Sequence, residues 1–175
     1  IWNSTKIWQQ VVTLMAEHLK TINPGKSADY DKNAEAYKKQ IQETDTWAKE
    51  QTEKIPADRR VLVTGHDAFN YFGRAYNIEI HATDFVSSDA DLSADEISEL
   101  ADLIATHKLP VIFQDNLKNP QAIQSLKEAV AAKGWTVEVS DKELYADSLG
   151  SESGVDTYLG VMKHNVETIV GALSS

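Results

Sequence analysis

Apolar positions recur at spacings of three and four through the first part of the chain, then gather into short β-branched runs. Ile7, Val11, Leu14, His18 with Leu19, and Ile22 mark the stripe of a first helix. Ser4 is placed to cap it and Asn23-Pro24-Gly25 to end it. A second helix starts near Asp29, carries Tyr30, Ala34, Tyr37, Ile41, Thr44 and Trp47, and decays into Lys54-Ile55-Pro56. Strands and helices then alternate. The strand candidates are Val61–Thr64, Ile78–Ala82, Pro110–Phe113 and Trp135–Val139, and the helix candidates Ala68–Tyr76, Ser93–Thr106, Pro120–Lys133 and Val155–Leu173. Ser93 followed by Glu96 is a capping-box pattern. Pro120 suits a first helical turn, and Gly134 suits a helix stop. The pattern predicts an α/β fold: a four-stranded, mainly parallel sheet with helices on both faces, preceded by a long first helix and a second helix.

Composition narrows the function classes. The 175 residues are 42% hydrophobic and 25% charged, enough for a globular core. The net charge is −10, and Lys and Arg form no concentrated patch, which argues against nucleic acid and anionic membranes as partners. The absence of cysteine excludes thiolate metal sites, disulfides and cysteine nucleophiles. No apolar run reaches the roughly 20 residues that span a bilayer. The first residues, Ile1-Trp2-Asn3-Ser4, have neither the basic start nor the apolar stretch of a signal peptide. With no initiating Met, the chain reads as processed or cut from something longer.

The chemistry concentrates at one hinge. Val61-Leu62-Val63-Thr64-Gly65-His66-Asp67-Ala68-Phe69 passes from a strand into a helical pattern, with a His and an Asp at the turn. Open α/β folds hold ligands beyond the carboxyl ends of their strands. His66 is therefore a candidate ligand or catalyst, although residue pattern alone leaves a structural role open. The other four His have plainer readings: His18 packed on the first stripe, His107 at a helix C-terminus, His164 packed on the last helix, and His81 within a strand. Asp67, Asp84, Asp115 and Asp147 all stand near strand ends, and spacing does not choose among them. The chain lacks G-x-S-x-G, the Walker A pattern and G-x-G-x-x-G. Two rivals to a binding protein stay open. One is a small α/β hydrolase or lyase using His66 with Asp115 or Asp147. The other is an adhesive module whose helical arm pairs with a partner.

Four segments, in order along the chain, resemble the metal-specific solute-binding proteins of bacterial ABC importers for zinc and manganese. They are Trp2-Asn3-Ser4 opening a helix; Asn33-Ala34-Glu35-Ala36-Tyr37; Val63 to Phe72 with Ala75-Tyr76; and Glu143 to Gly150 with Thr157-Tyr158 and Met162-Lys163-His164-Asn165. The resemblance implies two α/β lobes joined by a long helix, with a metal ion clamped between them. It assigns residues 1–24 to the linking helix and 25–175 to the C-terminal metal-binding lobe, with the N-terminal lobe lacking. The family's hinge ligand matches His66, and the Asp of its C-terminal block matches Asp147. Two His ligands would come from the other lobe, so this chain would hold half a site and bind weakly alone. An imidazole at position 66, where Glu is the alternative, favours Zn2+ over Mn2+. The implied partners are a transition-metal ion and an ABC permease, outside the cytoplasm in the periplasm or on a lipid anchor. The apolar face of the first helix adds an expectation of self-association, or of packing against the chain's own body.

Overall fold

The computed structural model describes residues 1–65, 67–83, 93–113 and 120–174, without the side chains of residues 120 and 122. His66, Asp84 and Asp115 lie outside the described residues.

The chain opens with a helical hairpin. Helix α1 (Thr5–Ile22) is capped by the Ser4 hydroxyl, which accepts from the Ile7 amide. A short 3₁₀ turn, Pro24–Lys26, leads directly into α2 (Ser27–Thr52). The second stripe is as predicted: Ile41 and Thr44 are buried, with Tyr30, Ala34, Tyr37 and Trp47 half-buried.

The first stripe is rotated from the prediction. Thr5, Trp8, Val12 and Ala16 form the inner side of α1, while Leu14, Met15, Leu19 and Ile22 are exposed and His18 lies at the surface. Val11-Val12 and Leu14-Met15-Ala16 make this helix apolar around much of its circumference, so periodicity alone could not select the inner face. A buried polar cluster settles it. Thr5 Oγ1 donates to Asp45 Oδ1 of α2 at 2.6 Å, and the same oxygen lies 3.2 Å from Tyr76 Oη. Lys49 pairs with the other carboxylate oxygen at 2.5 Å. Buried charge is tolerated when it is paired and hydrogen-bonded in this way.

Among the described residues, four strands follow: β1 (Val61–Thr64), β2 (Glu79–Ala82), β3 (Val111–Ile112) and β4 (Glu138–Val139). β1 pairs with β2 and β3 with β4, both parallel. A parallel bridge, Thr64 to Phe113, joins the two pairs, so the strand order is β2-β1-β3-β4. Regular pairing is thus shorter than the apolar runs suggested, and β3 and β4 have two residues each. All four residues of β1 are buried, as a strand covered on both faces requires. Helices α3 (Asn70–Tyr76), α4 (Ala94–Thr106), α5 (Pro120–Ala132) and α6 (Tyr158–Leu173) complete the fold. α4 packs on α5, and α6 packs on α2.

Close backbone approaches fix two of these elements. A Cβ on Gly73 would collide with the Ile78 carbonyl, so only glycine lets α3 lie against the start of β2. A Cβ on Gly160 would collide with the Gly154 carbonyl, where the loop after β4 lies on the first turn of α6.

Candidate metal centre

The sheet order creates the crevice. From β1 the chain moves to β2 on one side, then returns to β3 on the other, so β1 and β3 flank a switch point where the connections diverge. The hinge leaves β1 at this point. Gly65 is buried, Asp67 is exposed, and the Asp67 carboxylate accepts from the Asn70 amide. The helix starts at Asn70 rather than Ala68, and its first bond runs from the Gly73 amide to the Phe69 carbonyl. Residues 67–69 therefore belong to the hinge and not to α3.

The second segment is the loop between β4 and α6. Leu144 and Ala146 are buried, anchoring a stretch that leaves Asp147 exposed. Two faces of the protein hold it. From α6, the fully buried Asn165 accepts from the Tyr145 amide at 3.0 Å and donates to the Tyr145 carbonyl at 2.9 Å. His164 Nε2 lies 2.8 Å from the Glu143 carbonyl, and its ring meets Tyr145 edge-on at 5.2 Å.

From the start of α1, the Trp2 indole donates to the Ala146 carbonyl at 2.8 Å. The Asn3 amide donates to the Ala68 carbonyl at 3.0 Å and, more weakly, to the Ala146 carbonyl at 3.5 Å. Tyr158 holds this turn in place: its hydroxyl donates to the Trp2 carbonyl at 2.9 Å, and its ring stacks on Trp8 at 5.3 Å. Burial pushes the Tyr158 phenol well above its ordinary range, as it does that of Tyr76, so both remain neutral donors.

The structure thus brings together the hinge on one side of His66 and the loop ahead of Asp147. Trp2, Asn3, Tyr145 and Asn165 lie within the four resembling segments, but their residue types and spacing assign them no role. What they do depends on contacts between residues 20 to 144 positions apart, which no local spacing signals. Two other His are engaged elsewhere. His107 caps α4 with Nδ1 2.6 Å from the Asp58 carbonyl, and His81 Nε2 lies 2.8 Å from Glu79 on the edge strand. Among the described residues, no three His, Asp or Glu side chains gather into a metal-holding group. No described helix is long and apolar enough to cross a membrane.

Comparison with known proteins gives a consistent result. Residues 1–172 match the family described as zinc-uptake complex component A, periplasmic. The chain is 37% identical over 175 residues to the zinc-binding protein TroA of Treponema pallidum, and 32% identical over 174 residues to the manganese-binding lipoprotein MntA of Bacillus subtilis. Each alignment covers 99% of this chain and 56% of the relative, so the chain spans about half the length of these proteins. The solved structure of the T. pallidum periplasmic protein superposes with a TM-score of 0.86 at 36% identity, covering all of this chain and 63% of that one. Fe(III)-bound YtgA of Chlamydia trachomatis superposes with a TM-score of 0.82 at 26% identity, over 99% of this chain and 62% of its own.

Proposed function

Because the chain belongs to the family of periplasmic zinc-uptake complex component A proteins, we propose that it is the C-terminal lobe, with the linking helix, of an extracytoplasmic metal receptor. In this reading residues 1–24 form the linking helix and 25–175 the metal-binding lobe. The receptor captures a transition-metal ion and delivers it to the permease of an ABC importer. It is a binding protein rather than an enzyme, in line with relatives named for the metals they bind.

The observation that carries this reading is the joining of two segments at the strand ends. The hinge containing His66 and the loop presenting Asp147 share a hydrogen-bond bridge through Asn3. A neutral imidazole and a carboxylate form a donor pair suited to zinc, manganese or iron. Relatives named for zinc, for manganese and for Fe(III) leave the choice to the donor set. An imidazole at position 66 favours Zn2+, with Mn2+ as the alternative. Two protein ligands leave most of the coordination to water, so this chain alone binds weakly.

The test is competitive titration of the full-length protein with Zn2+ and Mn2+ against a chelator. His66→Ala and Asp147→Ala should each weaken binding strongly. Unchanged affinity in both variants would refute the site.

A second reading concerns α1. Leu14, Met15 and Ile22 are 68%, 58% and 67% exposed. Beside them runs an apolar groove of about 520 Å3 between α1 and α2, lined by Trp8, Val12, Leu19, Tyr30, Tyr37 and Tyr158. This surface supports self-association of the 175-residue chain when nothing else covers it.

A further inference from the structure

We infer that Asn3 is the positioning residue of this site: its buried amide ties the hinge after β1 to the loop ahead of Asp147 and sets the spacing of those two segments. The inference rests on the reading above that these segments carry the ligands.

The connectivity supports it. Ala68 stands two residues after His66, and Ala146 directly precedes Asp147. The carbonyls of both face the one Asn3 nitrogen. Only a side-chain amide, an ammonium or a guanidinium offers more than one hydrogen on a single nitrogen, and the last two would carry a buried charge. Asn3 is 2% exposed. A polar side chain so buried is retained where its hydrogen bonds replace those lost to water.

The donor is also the fixed partner. The next residue, Ser4, caps α1, and Thr5 is locked to Asp45 of α2. The preceding residue, Trp2, is held through its carbonyl by Tyr158 of α6. Asn3 therefore stands on a frame made by three helices. The two acceptors, Ala68 and Ala146, lie outside the regular elements, in the hinge before α3 and the loop before α6. The spacing of the two segments therefore runs through the amide. Trp2 adds a second, shorter bond to the Ala146 carbonyl, so the Asp147 side is gripped twice. The two segments are then held together before metal arrives, which removes part of the ordering cost of binding.

The experiment is a double-mutant cycle in the full-length protein. The readouts are Zn2+ affinity by chelator competition, the visible spectrum of the Co2+-loaded protein, and urea unfolding of the metal-free form. Asn3→Ala and the near-isosteric Asn3→Asp should each lower Zn2+ affinity by roughly 10- to 100-fold, the usual range for partners that orient ligands. Both should alter the Co2+ ligand-field bands. Trp2→Phe removes the indole N–H together with part of the ring packed near Tyr158, and should lower affinity at least about fivefold, the worth of one hydrogen bond. This variant carries the test if Asn3→Ala does not fold. In an Asp147→Ala background, Asn3→Ala should lower affinity clearly less than in wild type, because only the hinge side is left to position.

Three results would overturn the inference. One is a change of less than about twofold for Asn3→Ala, the scatter of independent sites. Another is a loss equal in both backgrounds, and the third is an unaltered Co2+ spectrum. If instead His66→Ala and Asp147→Ala both leave affinity intact, the site itself is wrong, and that outcome is read from those two variants alone.

Discussion

The grip of Asn165 on the Asp147 loop can be tested by changing one atom. Its side chain is fully buried, accepting from the Tyr145 amide at 3.0 Å and donating to the Tyr145 carbonyl at 2.9 Å. Asn165→Ala strands both backbone groups at a half-buried position. Each unsatisfied group costs about 1–3 kcal/mol, and partial access of water holds the pair near the lower end, so the loss should be about 2–4 kcal/mol. Asn165→Asp keeps the acceptor but turns the donor into an oxygen facing the Tyr145 carbonyl. The new carboxyl can restore the donor only when protonated. Its folded pKa is therefore raised above the unfolded value of about 3.9. In that window the folded state binds more protons, so stability falls as pH rises. The deficit against wild type should be smallest near pH 4 and widen with pH until the folded carboxyl has ionised, by about 1.4 kcal/mol for each tenfold gain in the folded carboxyl's proton affinity. Urea unfolding of both variants at pH 4, 5.5 and 7 measures this. A deficit for Asn165→Asp that does not change with pH would refute the donor assignment, and a loss under about 1 kcal/mol for Asn165→Ala would refute the clamp.

Gly160→Ala should destabilise by about 1–3 kcal/mol or more, because its methyl would collide with the Gly154 carbonyl, whereas Gly154→Ala meets no atom and costs only the strain of φ +97°, about 1–2 kcal/mol; thermal melting orders the two. Ser93→Ala should cost about 0.5–2 kcal/mol by breaking the observed capping box, seen in urea unfolding at neutral pH. The Ser93 amide and hydroxyl hold the Glu96 carboxyl below its ordinary range, so the carboxylate's half of the box contributes fully above the unfolded pKa of about 4.3 and fades as pH falls through the lowered folded value, which a stability profile below pH 5 would follow. The 175-residue chain should sediment as a concentration-dependent oligomer, and Leu14→Glu with Ile22→Glu should render it monomeric; a monomer at all concentrations would dismiss the apolar face of α1 as an association surface.

Much of the fold was legible because its signals are local. The strand at Val61–Thr64, the capping box at Ser93 and Glu96, the Ser4 cap and the inner stripe of α2 need only neighbours within a turn or a strand. The inner face of α1 was not legible. Leu14, Met15 and Ala16 offer apolar surface in three directions, and the buried pairing of Thr5 with Asp45, forty residues away, chooses among them. The late start of α3 was missed because Asp67 to Phe69 can serve a helix or a hinge.

The sequence by itself determined the class of the protein: an alternation of short buried strands and helices, an acidic cysteine-free surface, and a His and an Asp in motifs that resemble a metal-receptor family. Those properties reside in residue type and short spacing. Only the tertiary structure decided that the hinge after β1 and the loop ahead of Asp147 meet, and that Asn3, at the far end of the chain from that loop, joins them. Hydrogen bonds between residues more than sixty positions apart leave no periodic trace, because their partners are set by how the helices and sheet pack and not by the order of the residues.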